Sequence, residues 1–310
     1  MYNLPSYVLL KLNVIIFIMS WQVAIILHVL VSALMSLLVR HYTLINKRAY
    51  FSIVAIMYIT IFVFGLFVNF VFADGYIMIP RNTKTWLCLL LEGALIPAAW
   101  LLQYKIISHL GVTNANISSS LKYVTTALLG TVFLGEKLSL TFLVGMVLII
   151  IGIYIVTSIS PDEYHELKLT RFKTVFLIIS MSILYSLGML IEKLAIDATG
   201  VWSYSVLGWF MQALFASLYM IIFGRHELSN LKKKTFRQGV FLGFTVALAG
   251  VFFVYALSMG TLSQSVMVAG SKLLLTTVLA AIFYKERNDI LKRMIALLLS
   301  IIGLLLILSS

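Results

Sequence analysis

Ten runs of about twenty apolar residues, joined by short polar connections, dictate the solvent of this chain before anything else about it. The runs cover approximately residues 21–39, 50–73, 86–109, 112–134, 139–159, 174–196, 202–223, 238–259, 262–284 and 289–308. Each is long enough to cross a hydrocarbon core of about 30 Å. Charged residues make up only 11% of the chain, against about 25% in a soluble protein, which is too little polar surface to cover a water-facing globule. In lipid the backbone must satisfy its own hydrogen bonds, and the alternation of a β-barrel strand is absent, so the runs are predicted to be helices. The expected fold class is an all-α membrane protein with ten transmembrane helices.

The longest polar connections are SPDEYHELKLTRFK at 160–173 and GRHELSNLKKKTF at 224–236, and neither has room for a soluble domain. Residues 1–20 hold a short apolar stretch broken by Lys11 and Asn13. They read as an N-terminal extension, with Met19 the expected start of translation and a secretory signal the competing reading.

The net charge of +12 does not point to a nucleic acid, because the basic residues sit mostly in connections between apolar runs and form no basic face on a soluble domain. Counted from the first run, odd-numbered connections hold fifteen Lys and Arg residues and even-numbered ones four. The positive-inside bias then places the odd connections in the cytoplasm and both termini outside. Cys88 is the only cysteine, so no disulfide framework or cysteine metal site is expected.

The chain also repeats itself. GVTNANISSSLKYVTTALLGTVFLGEKLS begins at Gly111 and GTLSQSVMVAGSKLLLTTVLAAIFYKERN at Gly260. With one residue of slack, Lys122 matches Lys272, Thr126 matches Thr276, Phe133 matches Phe283, and Glu136-Lys137 matches Glu286-Arg287. IIGIYIV at 150–156 matches IIGLLLI at 301–307, and Tyr104 before Gly111 echoes Tyr255 before Gly260. Two halves follow, a first repeat at 21–159 and a second at 174–310, joined by the loop 160–173. Five helices in each half make the repeat inverted, because an odd number returns the second half from the opposite side of the bilayer.

With LGEKLS and YKERN closing its fourth and ninth helices, this five-plus-five plan resembles the drug/metabolite transporter superfamily, specifically the EamA-type transporters. The run LKYVTTALLGTVFLGEKLS is also similar to the fourth helix of nucleotide-sugar transporters. The resemblance implies alternating-access transport of a small organic metabolite, in a bacterial plasma membrane. In nucleotide-sugar transporters, lysines of these two helices contact the substrate, and both are kept here.

From the residues themselves, Lys122 and Lys272 stand near the middle of apolar runs, where a lysine costs roughly 2.5–3.5 kcal/mol and must face the bundle interior. Thr126 and Thr276 lie one turn further along the same helix faces, and Ser118 and Ser119 one turn earlier. These groups form the candidate substrate site, with two ammonium groups holding an anion. Tyr104, Tyr255, Tyr204 and Trp209 are further lining candidates, and Asn69, Gln103 and Gln212 weaker ones. The competing reading gives each lysine an internal carboxylate partner and a packing role only.

Three readings are open at Glu92: a proton carrier for transport, the ion-pair partner of a lysine, or a polar group nearer the interface. Pro97 should kink its helix. Glu192, Lys193 and Arg40 read as interface anchors, His28 as a packed, hydrogen-bonded histidine, and Glu136 and Glu286 as ion pairs at helix ends. Gly145, Gly152, Gly243 and Gly250 read as sites of close helix approach.

No cluster has metal-ligand spacing, no glycine-rich phosphate loop precedes a helix, and no nucleophile–histidine–carboxylate set stands out, so neither a metal, a cofactor nor an enzyme is expected. The favoured substrate is anionic, a nucleotide sugar, nucleotide or similar phosphorylated metabolite. The alternatives are a proton-coupled exporter of amino acids or amphipathic drugs, and a lipid-linked sugar flippase subunit or membrane scaffold. The expected partners are the substrate and the lipid bilayer, with a homodimer left open.

Overall fold

The computed structural model describes residues 20–45, 49–134, 140–158, 171–228, 231–270, 272–283 and 289–308. Its helices are α1 (Trp21–Ile45), α2 (Tyr50–Ala73), α3 (Thr83–Ser118), α4 (Leu121–Leu134), α5 (Leu140–Ser158) and α6 (Arg171–Thr199). They continue as α7 (Val201–Phe223), the short α8 (Arg225–Leu228), α9 (Lys233–Met259), α10 (Leu262–Gly270), α11 (Lys272–Phe283) and α12 (Ile290–Leu308). Every element among the described residues is helical, as a backbone in lipid requires. Six helices, α1, α2, α3, α6, α7 and α9, contain apolar stretches long enough to cross a membrane by themselves. Large apolar side chains such as Phe67, Phe70, Ile222 and Phe223 point outward, as a lipid-facing surface allows.

The N-terminal extension lies outside the described residues except for Ser20. So do the loop residues 159–170, and so do Glu136, Lys137, Glu286 and Arg287, the expected ion pairs at helix ends.

The plan differs from ten uninterrupted spans at two places. No break occurs near residue 110; α3 runs for 36 residues to Ser118. A lone glycine such as Gly111 costs a helix about 1 kcal/mol, too little to end it without a proline or a cap. The chain turns instead at Ser119–Ser120, where Ser119 Oγ donates to the Ala115 carbonyl at 2.6 Å and Ser120 Oγ to the Ile117 carbonyl at 2.5 Å. Serine hydroxyls here compete with the helical ladder. The ninth run is likewise divided, α10 ending at Gly270 and α11 starting at Lys272. Lys122 and Lys272 thus stand at or next to the start of a helical segment.

Helix packing repeats between the halves. α1 lies against α9 as α6 lies against α3, and α2 lies against α9 as α7 lies against α3. α4 packs on α6 as α10 and α11 pack on α1, while α2 pairs with α7 and α5 with α12. Exchanging the halves maps this set of contacts onto itself, the signature of a two-fold relation. Glycines permit the closest approaches: a Cβ on Gly93 of α3 would meet the Met211 Cβ of α7 at 2.6 Å. Gly152 of α5, Gly303 of α12 and Gly243 of α9 are similarly tight against partner backbone, consistent with packing.

Short connections are fixed by side chains. Asn69 does not reach the interior cavity; its Nδ2 donates to the Tyr76 carbonyl at 3.0 Å and the Trp202 carbonyl at 3.2 Å, tying the end of α2 to α7. Glu227 of α8 accepts the Ser52 backbone N–H at 2.9 Å and so caps the first turn of α2. Burial pushes the Glu227 carboxyl up from its ordinary value, and its hydrogen bonds to Ser52 work in the opposite direction.

Candidate functional site

A cavity of about 140 Å³ lies among α1, α2, α3, α4, α6, α7, α9, α10 and α11, and no described residue of α5 or α12 lines it. Much of the lining is aromatic, with Tyr58, Trp100, Tyr123, Tyr185, Trp209 and Phe253. Polar groups come from His28, Ser32 and Ser36 of α1, Gln103 of α3, Gln212 of α7, Glu192 of α6 and the two lysines.

Lys122 and Lys272 both line this cavity, one from each repeat. Lys122 is buried, with its Nζ 4.0 Å from the centroid of the Tyr185 ring and 5.5 Å from that of Tyr123. An ammonium over an aromatic face gains from the ring quadrupole, which offsets part of its lost hydration. Neither lysine has a carboxylate partner among the described residues. The ion pairs Lys193–Asp197 at 2.8 Å and Lys292–Asp289 at 3.3 Å involve neither lysine. Of the readings left open for Glu92, the ion pair with a lysine is therefore corrected.

Glu92 is completely buried behind the cavity wall. Its Oε1 accepts from the Tyr204 hydroxyl at 2.9 Å and from Gln212 Nε2, and its Oε2 has no hydrogen-bond partner among the described residues. The close approach at Gly93 is what brings α7 near enough to supply both donors. Pro97 lies inside α3, one turn further on. Near it, Tyr219 of α7 donates to the Ala94 carbonyl at 3.0 Å, a side-chain bond beside the gap the proline leaves in the ladder.

Several expected lining residues lie elsewhere. Thr126 is fully buried between α4 and α6; its hydroxyl donates to the Lys122 carbonyl at 2.7 Å and contacts Ser186 Oγ at 2.9 Å. A threonine hydroxyl is too short to follow the lysine outward and bonds the preceding turn instead. Ser186 also donates to the Lys122 carbonyl at 2.9 Å, so this cluster anchors the lysine's backbone. Ser118 and Ser119 sit buried at the turn, Ser119 Oγ 2.8 Å from Gln103 Oε1. Thr276 and Tyr104 are buried in the helix packing off the cavity, and Tyr255 stacks on Trp202 with ring centroids 6.3 Å apart. Tyr204 is buried against Glu92 behind the wall. Of the tyrosine and tryptophan candidates, Trp209 alone lines the cavity.

Two anchors are corrected. Arg40 is buried, donating to the Ile107 carbonyl at 3.3 Å, and Glu192 is a buried wall residue of the cavity, not an interface group. His28 is packed and hydrogen-bonded as expected: Nδ1 donates to the Ala249 carbonyl at 2.9 Å, Nε2 faces the Ser32 hydroxyl at 3.0 Å, and the ring lies 4.8 Å from Phe253. It also belongs to the lining. The polar stripe His28, Ser32, Ser36 has the four-residue spacing of one helix face, and Tyr185, Met189 and Glu192, four and then three residues apart, also share a face. That periodicity was the available signal for both sets.

Comparison with known proteins agrees with this architecture. One solved structure, described only as the crystal structure of a protein, superposes with a TM-score of 0.61 at 13% identity, covering 90% of this chain and 97% of the other. That likeness shows a shared fold. No curated protein matches the chain in sequence. The EamA-like transporter family matches it twice, over residues 19–158 and 172–309, once in each repeat. A polytopic helical chain with two such repeats around a central cavity belongs to the EamA-like transporter family of the drug/metabolite transporter superfamily, and is a membrane transporter of small molecules rather than an enzyme.

Proposed function

We propose that the chain carries a small organic anion across the membrane by alternating access, and that Lys122 and Lys272 hold its charged group. The supporting observation is that two ammonium groups from equivalent places in the two repeats line one cavity without a carboxylate to neutralise either. Charges buried in a membrane domain are expensive unless paired, and a bound anion supplies the missing partner. The aromatic wall takes the apolar body of the solute, and Gln103 and Gln212 offer neutral hydrogen bonds. In the finer topology, ten spans form two inverted five-helix repeats, with the odd connections cytoplasmic, in a bacterial plasma membrane.

Size bears on the substrate class. A cavity of about 150 Å³ holds one benzene, and the 140 Å³ here is of that order. Small carboxylates and small phosphorylated metabolites suit it best, whereas a nucleotide or nucleotide sugar requires the lining helices to part. Purified protein screened by thermal shift against carboxylates, sugar phosphates, nucleotides and nucleotide sugars tests this, since a ligand that binds the native state raises its melting temperature. A stabilising anion whose effect disappears in Lys122→Ala and Lys272→Ala is expected. Stabilisation by cationic drugs alone, unchanged in both variants, would overturn the proposal.

A second reading, proton-coupled export of amino acids or other amphipathic compounds, is favoured by Glu192. Its carboxyl lines the same cavity as the lysines and offers an opposite charge to a zwitterionic solute. The same screen separates the two, because zwitterions would then stabilise the protein more than simple anions.

A further inference from the structure

A second groove lies on the outside of the bundle, where the end of α1 meets the start of α9. The two helices run antiparallel: His28 bonds the Ala249 carbonyl midway along both, and Tyr42 lines the groove beside the first turns of α9. α1 lines the central cavity as far as Val39, and α9 lines it from Val246 onward. The groove therefore continues the same seam toward the helix ends, and it shares no lining residue with the cavity.

This groove is polarised along its length. Lys233, Lys234 and Arg237 stand exposed at its head, and no carboxylate among the described residues pairs with any of them. Phe236, Phe241 and Phe244 continue the wall and remain about half-exposed. Lys233, Arg237, Phe241 and Phe244 follow at spacings of four, four and three residues, so cations and rings share one helix face. Phe244 lies about 10 Å beyond Arg237 along the axis. The apolar run of α9 begins near residue 238, which puts the three cations at headgroup depth and Phe241 and Phe244 in hydrocarbon.

We propose that the groove binds one anionic phospholipid, its phosphate held by Lys233, Lys234 and Arg237 and an acyl chain laid over Phe241 and Phe244. Charge complementarity selects this occupant. A soluble anion would satisfy the cations and leave the rings uncovered. A zwitterionic lipid would cover the rings and leave three like charges, crowded into little more than one turn, without a net counter-charge. An anionic lipid does both. Basic pockets between transmembrane helices on the cytoplasmic side suit acidic headgroups, and the basic bias of the connections places the start of α9 on that side. Simple anchoring of a helix end by snorkelling side chains differs in one respect, because it needs no groove and treats every basic residue of the connection alike. The inference needs the chain to lie in a bilayer and takes nothing from the anion site.

Native mass spectrometry of the full chain in detergent reads occupancy directly, with dioleoylphosphatidylglycerol, dioleoylphosphatidylcholine or inorganic phosphate added and no transported solute present. One phosphatidylglycerol per chain should be retained in preference to phosphatidylcholine, and inorganic phosphate should not displace it. Arg237→Gln should weaken retention roughly fivefold, and replacing Lys233, Lys234 and Arg237 together by Gln roughly a hundredfold. Lys232→Gln removes the same charge one residue outside the groove and should leave retention unchanged. Phe241→Ala, which removes no charge, should weaken it as well.

Equal retention of the two lipids by the unaltered chain would overturn the proposal whatever the variants do. So would displacement of the lipid by inorganic phosphate, equal losses in Lys232→Gln and Arg237→Gln, or a dimer that covers the groove and keeps no lipid. Because lipid binding is read without solute, failure of the anion proposal leaves this result intact.

Discussion

Lys122 and Lys272 carry the argument at the scale of single residues. A hydrogen bond to a charged group is worth roughly 1.5–3 kcal/mol, so loss of either lysine should weaken anion binding by about one to two orders of magnitude. The melting temperature should hold or rise, because removing an unpaired charge from the membrane interior relieves the native state. Lys→Arg should restore binding only in part, since a planar guanidinium does not replace a compact ammonium stacked on Tyr185. Affinity and melting temperature measured on the same variants check this. Unchanged affinity with a collapsed melting temperature would show that the lysines serve packing.

These lysines were readable in the sequence because a charge in an apolar run has few tolerable surroundings. The hydroxyl candidates were not. Thr126 and Lys122 do share a helix face, but whether a short side chain reaches a cavity or bonds its own turn depends on how the neighbouring helix lies.

Among the elements, the α3–α7 contact is the most exposed to change. Gly93→Ala places a methyl group against Met211, with its Cβ 2.6 Å from the Met211 Cβ and 2.9 Å from the Met211 carbonyl carbon. Overpacking of this kind costs typically 1–3 kcal/mol, and here it also pushes Tyr204 and Gln212 away from Glu92. A lower melting temperature in detergent is expected. A methyl accepted without effect would mean that α3 and α7 are not this close.

The α8–α2 cap gives a pH-dependent prediction. Burial raises the Glu227 carboxyl above its value in the unfolded chain. The folded state then holds its proton more tightly, so this site's contribution is greatest at low pH and declines as pH rises through the folded value. The difference in melting temperature between wild type and Glu227→Gln should therefore change across the mildly acidic range, the wild type losing relative stability toward neutral pH. A constant difference across that range would assign Glu227 no titration. None of this cap was visible in the sequence, because Ser52 and Glu227 are 175 residues apart.

For the whole molecule, the basic residues predict that the α7–α9 connection faces the cytoplasm. A Lys232→Cys variant in a Cys88→Ser background should resist a membrane-impermeant thiol reagent in intact cells and react after permeabilisation. Labelling of intact cells would reverse the orientation.

The sequence by itself determined that the chain lies in lipid, that it is helical and that it is double. Run length and the scarcity of charge leave no other solvent, and a repeated Lys with a Glu-basic pair is hard to produce by chance in apolar helices. Only the tertiary structure decided which polar groups share a cavity. Glu192 lies on the cavity wall because α6 turns that face inward, and Glu92 is without a cation because α7 rather than a lysine reaches it. Those outcomes depend on helix rotation and close approach, which arise from the packing of all the helices together; spacing within one helix marks a shared face but not what that face meets.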